Sequence, residues 1–335
     1  VSALAINVTT LVVVWVAGRQ IMIGGMEIGS LTAFITYLSQ VLTALNFLAN
    51  IFLQGTRAAA SNRRLSEVMN TRPDISDDGA SRREYRVEKG SIEFRNVSFR
   101  YFKNVGAPVL DDVSVKIEPG EFVGIIGSTG SGKSTFVSLI PRLYDPDAGE
   151  VLVDGIDVKE LSLHELRESV AVVLQKNTLF SGTIAENLRW GNEEASDEEL
   201  EEVCRIAQAD SFIRSFPDGY ETQIGQGGGN LSGGQKQRLC IARALLKKPK
   251  IMILDDSTSA VDTATDASIR RAFGTQLSHV TRLVIAQRIS SVMDADKILV
   301  MDEGHLAACG THEELIQSCT AYQEIYYSQK EEGHE

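Results

Sequence analysis

The chain has 335 residues, enough for two domains, and a formal charge of −12, which argues against nucleic acid as a partner. Its cysteines, Cys204, Cys240, Cys309 and Cys319, show no C-x-x-C spacing, so neither a disulfide framework nor a cysteine metal site is expected. Composition divides near residue 55, before which only Arg19 and Glu27 are charged.

Residues 1–18 and 28–54 are uncharged apolar runs joined by the turn Gly24-Gly25-Met26-Glu27. About 20 apolar residues cross a bilayer, so the second run is long enough alone and the first is long enough if Arg19 lies at an interface. Two membrane helices and a tight loop are expected over 1–70, including a cytoplasmic extension. Buried core helices or a signal peptide are the competing readings, but the first run has no basic n-region and no initiating methionine. Further helices are expected upstream. Thr32, Thr36, Ser39, Gln40, Thr43, Asn46, Asn50 and Gln54 recur mostly every three or four residues, which predicts a polar stripe on one face of the second helix. Either interhelical hydrogen bonding or a wet pathway would suit it. Arg57, Arg63 and Arg64 follow and place that end in the cytoplasm.

Residues 71–90 are polar and rich in turn formers, as a linker would be, and 91–328 alternate strand and helix patterns in the manner of an α/β domain. Phe122 to Ile126 reads as a buried strand. It leads into Gly127, Ser128, Thr129, Gly130, Ser131, Gly132, Lys133, Ser134 and Thr135, the pattern G-x-x-x-x-G-K-[ST], and a helix follows from Phe136. Glycines let backbone N–H groups converge on phosphate oxygens; Lys133 would reach the β- and γ-phosphates and Ser134 would hold Mg²⁺. Ile251-Met252-Ile253-Leu254 reads as a second buried strand, and Asp255 at its C-terminal edge is placed to hold Mg²⁺. Leu231, Ser232, Gly233, Gly234 and Gln235 precede a helix whose N-terminus would stabilise an anion.

These motifs together resemble the C-terminal part of an ABC transporter half-unit of the exporter type. The resemblance implies a P-loop ATP-binding domain, with a RecA-like core and a helical subdomain around residues 201–213, preceded by the last two helices of a truncated membrane domain. It implies ATP and Mg²⁺ as ligands. Tyr101 would stack on adenine, Gln175 would sit in the loop that couples nucleotide to the membrane helices and contact the metal, and residues 231–235 would be the signature. Ser259, Ala260, Val261 and Asp262 would form the loop that crosses a dimer interface. In this family one subunit's signature closes over ATP held by the other, so a second half-subunit is the implied partner. Membrane lipid and an exported small molecule, lipid or peptide complete the implied set, in a multi-pass protein of the cell membrane. A helix is expected over 313–327 and a frayed tail from Ser328, with 329–335 outside the domain.

Three residues depart from the family pattern. Asp256 stands where a glutamate usually orients the attacking water, and Gln287 stands for the switch histidine in Ile285-Ala286-Gln287-Arg288. Gln226 replaces a common glutamate before the signature. Shortening a carboxylate by one methylene shifts it by about an ångström, which can cost roughly 10²-fold in rate, and glutamine cannot become cationic. The expectation is an own site that binds ATP and hydrolyses it slowly, within a heterodimer whose other site is completed by this chain's signature. A homodimer with an active Asp256, or a non-transporting ATP-gated membrane regulator, are the alternatives. A soluble ABC-type ATPase of chromosome maintenance would carry coiled-coil heptads, which are absent here.

Overall fold

The computed structural model describes residues 2–102, 106–256 and 262–332, in two compact units, Val1–Asp74 and Ile75–Glu335. In the first unit, α1 (Ser2–Met22) and α2 (Ile28–Asn70) pack against each other across a turn in which Gly24 takes φ +76°. The helix Ile28–Asn70 is long and apolar enough to cross a membrane; 6–22 is a shorter apolar helix. Trp15, Phe47 and Phe52 are 68%, 66% and 74% exposed, an apolar surface that needs lipid or further helices to cover it. Thr32, Thr36, Ser39 and Thr43 each donate to the carbonyl four residues back. The hydroxyls of the polar stripe are therefore satisfied within α2 itself.

The second unit begins inside the expected linker. Asp77 accepts from the Leu163 amide, and the Asp154 carboxylate accepts from the amides of Glu88, Lys89 and Ser91. Residues 75–90 are thus tied to the domain, and only 71–74 belong with the helices before them.

In chain order the domain contains β1 (Ile92–Phe99), β2 (Leu110–Ile117), β3 (Phe122–Gly127), α3 (Lys133–Leu139), β4 (Ala148–Val153), β5 (Ile156–Asp157), α4 (Leu163–Ser169) and β6 (Val170–Val173). There follow β7 (Gly182–Thr183), α5 (Ile184–Arg189), α6 (Asp197–Ile206), α7 (Asp210–Ser215), β8 (Gln223–Ile224), α8 (Gly233–Leu246) and β9 (Ile251–Asp255). The chain closes with α9 (Thr263–Gln276), β10 (Thr281–Ile285), β11 (Lys297–Asp302), β12 (His305–Gly310), α10 (His312–Ser318) and α11 (Thr320–Glu332). The expected helix over 313–327 is two helices broken near Cys319, and the second runs through Glu332. The frayed tail expected from Ser328 is, in its first residues, helix.

A six-stranded sheet has the order β12-β11-β3-β10-β9-β6, parallel except for β12. Alternate side chains of its strands enter different cores, as a sheet covered on both faces requires. Val123, Ile125, Ile251, Ile253 and Leu283 join one core with Phe136 and Leu139 of α3 and with Ile92 and Phe94 of the antiparallel sheet β2-β1-β4-β5. Ile126, Met252, Leu254 and Val284 face the other, which α8 and α9 close with Leu239, Leu246, Ile269 and Phe273. Phe94 stacks on Phe136 at 4.1 Å, fixing α3 between the two sheets. The C-terminal ends of β3, β6, β9 and β10 lie on one edge, where ligands bind in open α/β sheets.

Candidate nucleotide site

Gly127 ends β3 with φ +150°, and a Cβ there would strike the Met301 carbonyl oxygen. Gly132 at φ +95° would bring a Cβ to 2.8 Å from the Val109 carbonyl. Close backbone approach, as well as φ sign, demands glycine at these two points. Between them the loop carries Ser128, Thr129, Gly130 and Ser131, with Ser131 buried. Lys133 opens α3 and turns back, donating to the carbonyls of Gly127 at 2.8 Å and Ser128 at 2.7 Å and reaching Ser131 Oγ at 3.4 Å. Burial pushes its pKa down, while Asp255 and Asp256 pull the other way. Ser134 is exposed and Thr135 buried in the first turn of α3. The Thr135 hydroxyl shares a 2.9 Å hydrogen bond with the Tyr101 hydroxyl. Tyr101 stands edge-on to Phe99 and Tyr144 yet stays 48% exposed, leaving ring surface for a base.

Asp255 ends β9, and Asp256 turns off it with φ +48°, its amide donating to the Ile285 carbonyl at 3.0 Å. A left-handed backbone suits Asp better than most side chains. Gln175, just beyond β6, donates Nε2 to Asp256 Oδ2 at 3.1 Å, and Gln287, just beyond β10, donates to the same oxygen at 2.7 Å. Burial is the largest influence on the Asp256 carboxyl and raises its pKa, with Asp255 adding to the rise; the Gln175 hydrogen bond, Arg288 and Lys133 oppose it. Lys133, Asp255, Asp256, Gln175 and Gln287 thus form one cluster from four strand ends. The two-donor grip on one carboxylate oxygen was not foreseen, nor was Arg288.

The signature residues form a second cluster. Ser232 caps α8, its hydroxyl accepting from the Gln235 amide while the Gln235 side chain accepts from the Ser232 amide. Gly233 and Gly234 are the first residues of that helix, whose leading N–H groups have no intrahelical acceptor. Leu231, just before the cap, is buried. Arg238, one turn on, lies over the Phe212 ring of α7 and interacts electrostatically with Asp262, which caps α9 by accepting from Thr265. Gln226 opens the short turn Gln226–Gly228, where Lys236 donates to Gly227. Ser259, Ala260 and Val261 lie outside the described residues. Glu201 and Phe212 fall on α6 and α7, two helices parted at Gln208, φ +56°.

A magnesium nucleotide fits the donor set: a cradle shaped by glycines, a lysine, the Ser134 hydroxyl and the Asp255 carboxylate. Among the described residues no cluster of three His, Cys, Asp or Glu side chains forms an independent metal site. Hard cations borne by nucleotides need few protein ligands, because phosphate supplies the rest.

Residues 110–259 match the family model "ABC transporter". The chain is 42% identical over 97% of its length to an ABC transporter ATP-binding protein of Bacillus subtilis, YfiB, and spans 56% of that relative. It is 38% identical over 97% of its length to an ATP-dependent lipid A-core flippase of Chromobacterium violaceum, spanning 55% of it. A solved bacterial Atm1-family ABC exporter with ATP bound superposes with a TM-score of 0.85 at 32% identity, over 98% of this chain and 57% of that one. The chain thus spans little more than half the length of the curated relatives it matches. The chain carries the ATP-binding domain of an ABC transporter, preceded by two apolar helices.

Proposed function

We propose that this chain is the ATP-binding part of an ABC exporter half-unit whose own nucleotide site binds ATP well and hydrolyses it slowly. The observation that carries this is the engagement of Asp256 Oδ2 by the amides of both Gln175 and Gln287. Both donors occupy the carboxylate oxygen that would otherwise orient the attacking water, and the shorter reach of aspartate adds to the deficit. The backbone of 127–132 would bind the phosphates and Lys133 would leave the loop carbonyls for the β- and γ-oxygens. Tyr101 would stack on the base, and Ser134, Asp255 and Gln175 would hold Mg²⁺. Bound Mg²⁺ would supply charge neutralisation on the phosphate oxygens.

The signature at Ser232 to Gln235 would complete a second site whose phosphate loop and catalytic glutamate belong to a non-identical half-unit. ATP drives such a cycle only if it binds the closed dimer better than the open one. Closure would pass through the Gln175 loop to the membrane helices and carry a small molecule, lipid or peptide outward, with the ATP-binding domain in the cytoplasm. The test is steady-state ATP hydrolysis by this polypeptide alone. Slow turnover with retained ATP is expected; a rate matching a relative with glutamate and histidine at these positions would favour a homodimer with an active Asp256.

A further inference from the structure

The far end of α11 reaches the nucleotide site. Gln329 donates Nε2 to the Gln287 carbonyl at 2.6 Å and accepts from the Ile289 amide through Oε1 at 2.9 Å. One side-chain amide therefore holds the main chain on both sides of Arg288. Gln287 in turn donates to Asp256 Oδ2, and Arg288 acts on the same carboxylate. The helix is a firm base for this contact. Tyr322 is fully buried in the core, shares a 2.6 Å hydrogen bond with His312, and has Ile325 and Tyr326 packed beside it. Tyr322, Ile325, Tyr326 and Gln329 lie at i, i+3, i+4 and i+7, so one helix face carries both the anchor and the grip. A cavity of about 640 Å³, lined in part by Arg288, Met293, Tyr326 and Gln329, opens beside the contact, so packing alone does not hold the 287–289 segment there.

We propose that Gln329 is a positioning residue for ATP hydrolysis, fixing the 287–289 segment so that the Gln287 side chain meets Asp256. It touches neither nucleotide nor the reacting atoms; it acts through the main chain. Because its partners are backbone atoms, the same grip would hold a histidine placed at position 287. The C-terminal helix is then part of the site's machinery, and whatever displaces α11 would release the switch segment.

The test is a double-mutant cycle on the full chain with Gln329→Ala, Gln287→Ala and both together, read first by thermal unfolding at pH 7. Gln329→Ala is expected to lower Tm by about 2–4 °C in the unaltered chain and by a smaller, still measurable amount in the Gln287→Ala background, where the two main-chain bonds are lost but no Gln287–Asp256 bond remains to be loosened. A tether with no bearing on Gln287 would cost the same in both backgrounds and overturn the proposal. Gln329→Glu keeps the acceptor for Ile289 but sets a carboxylate oxygen against the Gln287 carbonyl, so it should cost at least as much as Gln329→Ala; a Glu variant as stable as the parent would count against the proposal. In single-turnover hydrolysis Gln329→Ala should raise the rate several-fold, because Asp256 is freed from one of its two donors, with the ATP concentration for half-maximal rate within twofold, and the double variant should be no faster than Gln287→Ala alone. The kinetic arm rests on the proposed ATPase reading, whereas the unfolding cycle does not. A failed cycle with intact turnover refutes the grip, and an intact cycle without turnover refutes only the ATPase reading.

Discussion

The phosphate loop and the Asp256 cluster stand at the ends of β3 and β9, separated only by β10, yet different forces hold them. The loop is held by shape: Gly127 and Gly132 leave no room for a Cβ, and α3 is clamped between two sheets by Phe136 and Leu139. Side-chain amides hold the other half. Gln175, Gln287 and, behind it, Gln329 come from three separate elements, and each bond is exchangeable with solvent at modest net gain, about 0.5–1.5 kcal/mol. A rigid cradle beside an adjustable catalytic face suits a site in which binding is kept and turnover is tuned.

Substitutions on each side should therefore differ in kind. The largest effect is expected from Lys133→Ala, which removes charge-assisted bonds to the phosphates and should weaken ATP binding about 10²-fold, measured with a fluorescent nucleotide. Unchanged affinity would show that the lysine stays on the loop carbonyls of Gly127 and Ser128. Tyr101→Ala should cost roughly tenfold in affinity, since stacking on a base contributes about 1–3 kcal/mol. Tyr101→Phe retains the ring and loses only the Thr135 bond, so a loss as large as that of alanine would mean that the hydroxyl, and not the ring, matters.

The smallest effect is one of stability. The folded-state pKa of Asp256 lies above its ordinary value, mainly through burial, so its contribution is full at low pH and is lost as pH rises through the folded pKa. Asp256→Asn removes that loss and tolerates the left-handed backbone. The variant should unfold at the same temperature as the parent near pH 4 and a few degrees higher near pH 7. A parent more stable than the variant at pH 7 would show that the two glutamines more than offset the burial of the charge.

Local pattern carried much of this into the sequence. The strands β3 and β9 are apolar runs, the phosphate loop is written in glycines, and Ser232 with Gln235 spells a capping box. What sequence reading missed lies in hydrogen bonds between distant residues. Gln175 and Asp256 are 81 positions apart, Gln287 and Gln329 are 42, and no periodicity joins either pair. Residues 75–90 looked like a linker because their anchor, Asp154, is more than sixty positions away. Gln329 fell in an expected tail, although the spacing of Tyr322, Ile325 and Tyr326 continues a helical face through it.

The central claim is that Asp256 and Gln287 hold this site to binding more than turnover. Steady-state ATP hydrolysis should be compared between the unaltered chain and Asp256→Glu combined with Gln287→His, with ATP affinity measured on both. The account predicts similar affinity and a rate about 10²-fold higher in the double variant. Comparable rates in the two proteins would contradict it and identify Asp256 as a sufficient water-orienting group.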